Sequence, residues 1–512
     1  MSKCIVGYTG FVGSNLLQFY KFDYFYNSKN FKDAINMTFD EIYFCGVPAV
    51  KWYANKNPDE DLLVINNIIN VLKTIKVNKF YLISTIDVYE DVLSEKDEDY
   101  ECNYMINHTY GKNRYMFEQF IKSQFENYHI IRLPALFGKG LKKNIIYDLL
   151  NNNGICNIPV NSSFQWYDLD WLKEDIENII KNDIKLCNLF TEPLDTKIIL
   201  NMFDYDINCF DNIKKMSYNV KTKYSDIGYI RDKNMVETSI KKFINLYRLN
   251  KDNLVVSNIC IKNTSQLQFA CILKLYGIKN VQIAPTTITN WDNLNNIDLS
   301  IYTNNNLNVY SFQSITFTLN SINIFNENSS ILLEHLKNVI KVASNNNVKV
   351  LVFGCPRNRF ILDPELDNDI IFINFFKELG DYCNNMNVTI CIEPNSKKYN
   401  CNYLNTISDV GNIVRRINKD NIKMMVDLGN ATMEKDDLDI IYNYSDIIYN
   451  IDVAEENMTS FINPNNKNYE FRNILKNINY NKKINLEMLL TPNNELTDLI
   501  VSLNNFINIY SN

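Results

Sequence analysis

Histidine is scarce in this chain of 512 residues, which contains three: His108, His129 and His335. Zinc centres draw mainly on histidine and cysteine, whereas Mg²⁺ and Mn²⁺ prefer oxygen ligands. The sequence therefore predicts that any metal site is built mainly from carboxylates, with Mn²⁺ or Mg²⁺ as the ion.

Paired cysteines, long apolar runs and excess positive charge are also missing. The 12 cysteines are scattered singly without a CxxC motif, which favours a reducing compartment. No stretch reaches the ~18 apolar residues of a membrane span, and the first residues do not form a signal peptide. The net charge of -7 disfavours a nucleic-acid partner. We therefore expect a cytoplasmic protein with no nucleic-acid or membrane partner.

Glycine is scarce too, with 14 residues in all, yet three glycines fall within seven residues near the start. They follow the apolar strand Cys4–Val6 and precede a helical stretch. Without Cβ atoms, the turn lets helix amides approach a pyrophosphate and lets the helix pack on the strand. We interpret the turn as a dinucleotide site, with a ligand-free βα turn as the alternative. Its predicted contact residues are Gly7, Gly10, Phe11, Val12 and Gly13.

The second predicted strand, Tyr24–Tyr26, ends in a segment that bears on cofactor choice. An acid about twenty residues after Gly7 would bind the adenosine ribose and select NAD, and none is present. Asn27, Ser28 and Lys29 stand there instead, and the last two could receive a 2′-phosphate. This gives NADP a slight preference over NAD, the alternative being an ordinary polar loop.

Tyr110 and Arg114 share one face of a predicted helix, because positions i and i+4 lie one above the other. A fixed cation beside a phenol stabilises the phenolate. Tyr110 could then exchange a proton with a sugar hydroxyl while nicotinamide exchanges hydride, and Thr85, at a strand end, would hold the same oxygen.

Apolar segments alternate with helical ones throughout, so we predict an α/β protein with two domains. Residues 1–245 would form a Rossmann domain with a doubly wound parallel sheet, and residues 250–512 a (β/α)₈ TIM barrel. The eight barrel strands are expected at Leu254–Ser257, Val281–Ala284, Val309–Phe312, Lys349–Phe353, Val388–Ile392, Lys423–Val426, Ile447–Ile451 and Ile484–Leu486.

The first half resembles an extended short-chain dehydrogenase/reductase of the NAD-dependent epimerase/dehydratase family. The resemblance rests on the glycine turn, on Ser84-Thr85 ahead of Val88-Tyr89, on Tyr110 with its helix, and on Arg132–Gly138. It implies that Thr85 and Tyr110 are the catalytic pair, that Pro134 lies near the nicotinamide and that Gly46 lies near the adenosine.

Two departures from that family limit the predicted reaction. Arg114 stands where the family has lysine, so the charge is kept with a different hydrogen-bonding geometry. Sugar dehydratases carry two acids after the catalytic threonine, and here Ile86 replaces the first, leaving Asp87. Reduction or epimerisation is therefore favoured over dehydration.

The last four barrel strands each end in an acid, and the second half resembles the xylose-isomerase-like sugar phosphate isomerase/epimerase superfamily. The resemblance implies a divalent metal held by Glu393, Asp427 and Glu487, with the two glutamates as catalytic acid and base. The family's ligand histidine is absent; Asp452 falls closest to its place, with Asn450 as competitor. Solvated acids that never converge are the alternative reading.

Arg357 and Arg359 follow the fourth barrel strand, and they could offset the acids or bind a substrate phosphate. Solvated loop arginines are the alternative.

The sequence thus predicts a bifunctional sugar-modifying enzyme. An NAD(P)-dependent oxidoreductase or epimerase acting on a sugar or nucleotide-sugar would be joined to a metal-dependent sugar isomerase or epimerase, with a homodimer as the candidate assembly. Two alternatives stay open. One is an active reductase with a barrel that only binds sugar, and the other is a non-catalytic, nucleotide-sensing interaction protein.

Overall fold

The computed structural model describes residues 2–93, 95–203 and 215–511, and the chain folds into two compact units, Met1–Arg248 and Leu249–Asn512. Among these described residues, no helix combines the length and apolar character that crossing a membrane requires.

The first unit is built on strands β1 (Lys3–Val6), β2 (Tyr24–Tyr26), β3 (Thr38–Phe44), β4 (Lys76–Thr85), β5 (Tyr128–Leu133), β6 (Ala135–Phe137), β7 (Ser163–Phe164), β8 (Trp166–Asp168), β9 (Leu186–Asn188) and β10 (Leu194–Asp195). Six of them form a parallel sheet in the order β2-β1-β3-β4-β5-β9. The chain direction across the sheet reverses at β1, because β2 pairs with one side of β1 and β3 with the other. In open parallel sheets such a switch point opens a ligand crevice at the carboxyl ends of the strands.

The helices of this unit are α1 (Phe11–Leu16), α2 (Lys51–Lys56), α3 (Pro58–Leu72), α4 (Thr109–Gln124), α5 (Ile145–Leu150), α6 (Leu172–Lys181), α7 (Thr196–Leu200) and α8 (Lys233–Arg248). Side chains alternate along β3, so that Ile42 and Phe44 join an apolar core with α3 and α4. Tyr43 faces the other way and packs on Tyr20 and Tyr81, with ring centroids 5.0 and 4.5 Å away. Both faces of the sheet are therefore covered, as a doubly wound sheet requires.

The second unit is a closed barrel of eight parallel strands. They are β11 (Leu254–Ser257), β12 (Asn280–Ile283), β13 (Asn308–Phe312), β14 (Val350–Phe353), β15 (Thr389–Ile392), β16 (Ile422–Asp427), β17 (Ile448–Val453) and β18 (Ile484–Leu486). Pairing between β11 and β18 closes the ring. The helices are α9 (Gln266–Leu275), α10 (Ser300–Thr303), α11 (Ser329–Asn345), α12 (Asn368–Met386), α13 (Ile407–Ile417), α14 (Leu428–Glu434), α15 (Lys467–Asn477) and α16 (Glu495–Tyr510).

The predicted fold class is confirmed: a parallel α/β sheet is followed by a (β/α)₈ barrel. All eight barrel strands lie within two residues of their predicted bounds. Strands that are buried on both faces form continuous apolar runs bounded by polar segments. This pattern can be recognised from the sequence alone, without knowledge of the tertiary structure.

Candidate active sites

The predicted glycine turn lies at the switch point of the first sheet. Gly7 has φ +88°, and a Cβ on it would lie 2.5 Å from the Cys45 carbonyl oxygen, at the end of β3. A Cβ on Gly13 would lie 2.2 Å from the Gly7 carbonyl oxygen. The Gly10 N–H donates to that same oxygen at 2.9 Å, and Gly46 lies against β1. The absence of side chains at these glycines leaves the backbone of the crevice accessible to a dinucleotide pyrophosphate. The helix that follows, α1, is only six residues long.

The other predicted cofactor residues lie at the same carboxyl edge of the sheet. Asn27 follows β2, and its Oδ1 accepts the Lys29 N–H at 2.9 Å, leaving Ser28 and Lys29 exposed. Phe11 and Val12 are the first, half-buried residues of α1. Pro134 directly follows β5 and is buried.

Tyr110 and Thr85 are brought together as the sequence predicts. Tyr110 is the second residue of α4 and Thr85 is the last residue of β4, and the Thr85 side chain lies near enough to Tyr110 to lower the pKa of its phenol slightly, against the larger effect of burial. Gly111 makes this approach possible, because a Cβ on it would lie 2.0 Å from the Asp87 carbonyl oxygen. The start of α4 therefore packs directly on the backbone that follows Thr85.

Arg114 lies beside Tyr110, but its hydrogen bonds go elsewhere. Its Cζ is 4.1 Å from the centroid of the Tyr110 ring, so the guanidinium lies over the ring face. Its Nη1 donates to the buried Asp61 carboxylate and its Nη2 to the Pro48 carbonyl oxygen. Burial raises the pKa of Tyr110 above its ordinary value, and the Arg114 charge only partly opposes this.

Three further ionisable groups lie around the pair: Asp87, Lys51 and His108. Of these, Lys51 and His108 were not predicted as site residues from the sequence. The Lys51 Nζ donates to Asp87 Oδ1 at 2.6 Å, and His108 Nε2 lies 3.9 Å from the same oxygen. Lys51 and Asp87 are 36 positions apart on different elements, so no local pattern connects them. His108 had a usable signal, since it directly precedes a helix and its Nδ1 caps the Gly111 N–H.

In the barrel, three of the predicted carboxylates converge. One ligand atom from each of Glu393, Asp427 and Glu487 lies within 4.8 Å of the others. They follow or end β15, β16 and β18, and they line a cavity of about 720 Å³. An all-oxygen donor set of this kind fits Mg²⁺ or Mn²⁺, and these three residues are the candidate holders of such an ion.

The electrostatics of this group favour a bound cation. Burial raises the pKa of Asp427 to about 6. Burial and the neighbouring carboxylates raise the pKa of Glu393 and of Glu487 well above the ordinary value. Buried like charges this close cannot all ionise unless a positive charge compensates them.

Asp452 lies outside this group of converging ligand atoms, and its role as a metal ligand stays a prediction. It lies inside the barrel with no exposed surface, and its Oδ1 accepts a hydrogen bond from Asn450 at 2.9 Å. Asp452 pairs with Asn485 in the strand register, so Glu487 stands two residues nearer the mouth. An acid near the end of a barrel strand can therefore lie in the layer of side chains inside the barrel, beneath the residues that line the cavity.

The two loop arginines have different environments. Arg357 is exposed and lines the cavity. Arg359 is fully buried, its Nη2 donates to Asn395 Oδ1 at 3.0 Å, and its charge lowers the pKa of Glu393 against the larger effect of burial. Of the two predicted roles, offsetting the acids is thus the one that the position of Arg359 fits.

Comparison with protein families distinguishes the two halves. Residues 25–154 match the NAD dependent epimerase/dehydratase family, and residues 300–497 match the xylose isomerase-like TIM barrel family. One match lies in each of the two compact units. This confirms the predicted fusion, and the first family implies a nicotinamide cofactor.

Several solved structures are similar to about half of the chain. A D-psicose 3-epimerase has 14% identity and a TM-score of 0.41, covering 50% of this chain and 96% of its own. A 3-keto-D-glucoside 4-epimerase from E. coli has 11% identity and a TM-score of 0.41, covering 49% and 99%. An AP endonuclease of family 2 from Brucella melitensis has 14% identity and a TM-score of 0.39, covering 46% and 93%. No curated protein matches.

Proposed function

We propose that the chain is a bifunctional sugar-modifying enzyme. The first unit is an NAD(P)-dependent reductase or epimerase of a sugar, in particular a nucleotide-linked sugar. The second unit is a sugar isomerase or epimerase that depends on Mn²⁺ or Mg²⁺. The observation that carries the proposal is that each unit brings its own set of reactive groups together, Tyr110 and Thr85 in one and three carboxylates in the other.

In the first unit, a nicotinamide cofactor would supply or accept hydride. Thr85 and Tyr110 would bind one sugar oxygen between their hydroxyl groups, and Tyr110 would give a proton to that oxygen or take one from it. The buried phenol, whose pKa lies above its ordinary value, is held in the protonated state that reduction of a ketone requires.

In the second unit, Glu393, Asp427 and Glu487 would hold the metal, which would polarise a sugar carbonyl when bound. Glu393 and Glu487 would move a proton at the carbon next to that carbonyl. Arg359 would limit the accumulated negative charge beside Glu393. The cavity volume of about 720 Å³ lies within the range of small-molecule binding sites, so a sugar fits in it.

The test is mass spectrometry of the full-length protein incubated with NADPH or NADH and a panel of nucleotide-linked keto-sugars, with and without Mn²⁺. Tyr110→Phe should abolish the cofactor-dependent product and leave the Mn²⁺-dependent one, and Glu393→Gln should do the reverse.

Two matched controls separate chemistry from folding. Tyr115→Phe removes a buried hydroxyl from the same helix as Tyr110, and Glu456→Gln alters an acid after β17 that is exposed. Both should keep both products. If Glu393→Gln and Glu487→Gln left all turnover intact, the barrel would only bind sugar. If Tyr110→Phe left the cofactor-dependent product unchanged, the oxidoreductase assignment would be wrong.

A further inference from the structure

A phenyl ring lies on the rim of the cavity in the second unit, and no step of the proposed chemistry uses it. Phe317 lines this cavity together with Glu393, Asp427 and Glu487, and 62% of its surface is exposed. A ligand that covered the ring would remove this apolar surface from water, which is favourable. Phe317 is therefore a candidate for contact with whatever binds above the three carboxylates.

Phe317 lies on a turn that follows β13, and two aromatic side chains from other elements hold this turn. The Trp291 Nε1–H, from the segment after β12, donates to the Phe317 carbonyl oxygen at 2.8 Å. His335 Nε2, on α11, lies 2.8 Å from the Ile315 carbonyl oxygen, and because a carbonyl group only accepts, this nitrogen carries the hydrogen. The rings of Trp291 and His335 meet edge to face, with centroids 4.8 Å apart. One aromatic pair thus fixes two carbonyl groups of the turn.

A buried amide ties the same turn to the segment after β14. Asn358 is 3% exposed, and its Oδ1 accepts a hydrogen bond from the Thr316 hydroxyl at 2.6 Å. Its Nδ2 donates to the carbonyl oxygens of Leu319 and Ile322, both at 2.7 Å. The chain is therefore held by hydrogen bonds on both sides of Phe317.

The turn keeps two residues in the left-handed region of backbone conformation. Ser314 has φ +52°, and Thr318, which directly follows Phe317, has φ +74°. The Phe317 N–H donates to the Ser314 carbonyl oxygen at 3.0 Å, so the two strained residues flank the ring. This conformation is especially unfavourable for a β-branched residue such as threonine. Strained backbone persists only where surrounding contacts enforce it, and it is concentrated at functional sites such as ligand clamps.

The chemistry of the cavity matches that of a sugar. Sugar hydroxyl groups need polar partners, and amide side chains such as those of Asn320 and Asn400 line the cavity. Sugar C–H groups pack on the electron-rich face of an aromatic ring. Building on the proposed function of the second unit, we propose that the Phe317 ring binds the C–H face of the sugar, with Trp291 and His335 as positioning residues. This contact favours sugars whose hydroxyl groups leave one face free.

The first experiment measures binding and conversion of a panel of free aldoses and ketoses by the full-length protein with Mn²⁺, by calorimetry and by steady-state kinetics. Phe317→Ala should raise KM at least ~10-fold and leave kcat within ~3-fold, because the ring contacts the ground state and the transition state alike. Phe317→Tyr keeps the ring and should keep the wild-type KM. Both variants should keep the wild-type Mn²⁺ affinity. The control Tyr469→Ala removes a ring that is 52% exposed on α15 and does not line the cavity, and it should change neither constant.

The second experiment separates positioning of the ring from a purely structural role. Trp291→Phe removes the N–H that holds the Phe317 carbonyl oxygen but keeps a ring against His335, and His335→Met removes the other donor. Each should raise KM at least ~3-fold, because the ring loses its fixed position. In a Phe317→Ala background neither should raise KM further, since the ring that they position is gone. Additive increases in KM would overturn the positioning role.

The possible failures of the two proposals can be told apart. If the wild type converts a sugar and Phe317→Ala keeps its KM, the ring contact alone is overturned, and a changed sedimentation coefficient would then show that the ring contacts another protein chain. A KM that rises equally in Phe317→Ala and Phe317→Tyr would overturn it too. If sugars bind and Phe317→Ala weakens their binding, but none is converted, the ring contact stands and the proposed activity is overturned. A wild type that neither binds nor converts any sugar would overturn both.

Discussion

Gly354 and Glu393 approach so closely that no side chain fits between them. A Cβ on Gly354 would lie 2.3 Å from Glu393 Oε2 and 3.2 Å from Asn395 Oδ1. Gly354 directly follows β14, and Glu393 directly follows β15, its neighbour in the barrel. The position of the Glu393 carboxylate therefore depends on the absence of a side chain on the adjacent strand end.

Gly354→Ala should weaken metal binding without unfolding the barrel. The added methyl group must displace the Glu393 carboxylate, and a shift of about 1 Å removes it from the ligand group. We expect at least a ~10-fold lower Mn²⁺ affinity by isothermal titration calorimetry, with the circular dichroism spectrum kept. Wild-type affinity in a folded Gly354→Ala protein would show that Glu393 does not bind the metal.

Asp427→Asn and Asp452→Asn should have different effects on Mn²⁺ binding. Asp427 belongs to the converging group, and Asp452 lies below it among amides, bound to Asn450. Removing a ligand should cost at least ~10-fold in affinity, whereas Asp452→Asn should change it less. Electron paramagnetic resonance of bound Mn²⁺ gives an independent reading. Equal losses in the two variants would mean that Asp452 is a ligand as well.

The features that the sequence predicted well are local in the chain. Each of these features depends on residues only a few positions apart: the glycine turn, the Tyr110–Arg114 spacing and the barrel strands. Over such short separations, periodicity and backbone preferences predict the local structure. Three strand-end acids also converged as predicted, because parallel barrel strands end at one mouth.

What the sequence could not give depends on distant residues. The pairing of Arg114 with Asp61 spans 53 positions and that of Lys51 with Asp87 spans 36, so spacing carries no information about either. The level of Asp452 depends on the register of β17 against β18. This register shift between neighbouring strands is set by the closure of the barrel, so the sequence of either strand alone does not predict it.

Glu118 and Arg132 form a buried ion pair whose loss should destabilise the first unit. Arg132 donates to Glu118 at 3.0 and 2.6 Å, Ser84 donates to it at 2.5 Å, and both ionic side chains are at most 1% exposed. Glu118→Ala leaves a buried guanidinium without its partner, which costs about 3–5 kcal/mol.

Chemical denaturation of the full chain measures this cost, with Glu126→Ala, an exposed acid, as the control. The double variant Glu118→Leu/Arg132→Leu should recover much of the loss, because apolar replacements remove both charges together. A Glu118→Ala protein as stable as the wild type would mean that the pair is solvated in solution.

Asp168→Asn should stabilise the first unit at alkaline pH and have less effect at acidic pH. Asp168 is 7% exposed, and burial, followed by the charge of Asp170, raises the pKa of Asp168 to about 6. Its hydrogen bonds from Ser239 and from the Asp170 N–H only partly oppose this shift.

The sign follows from linkage between proton binding and folding. A carboxyl whose pKa is raised in the folded protein stabilises it most below the unfolded pKa, near 3.8 here, and this contribution is lost as the pH rises through about 6. Asparagine stays neutral, so its advantage grows over the same range to on the order of 2 kcal/mol above pH 7. Calorimetric melting at pH 4.5 and pH 8 measures the difference, with the exposed Asp195→Asn as the control. An Asp168→Asn protein that is equally destabilised at both pH values would instead mean that the carboxylate is ionised in the fold, held by the Ser239 hydroxyl and the Asp170 N–H.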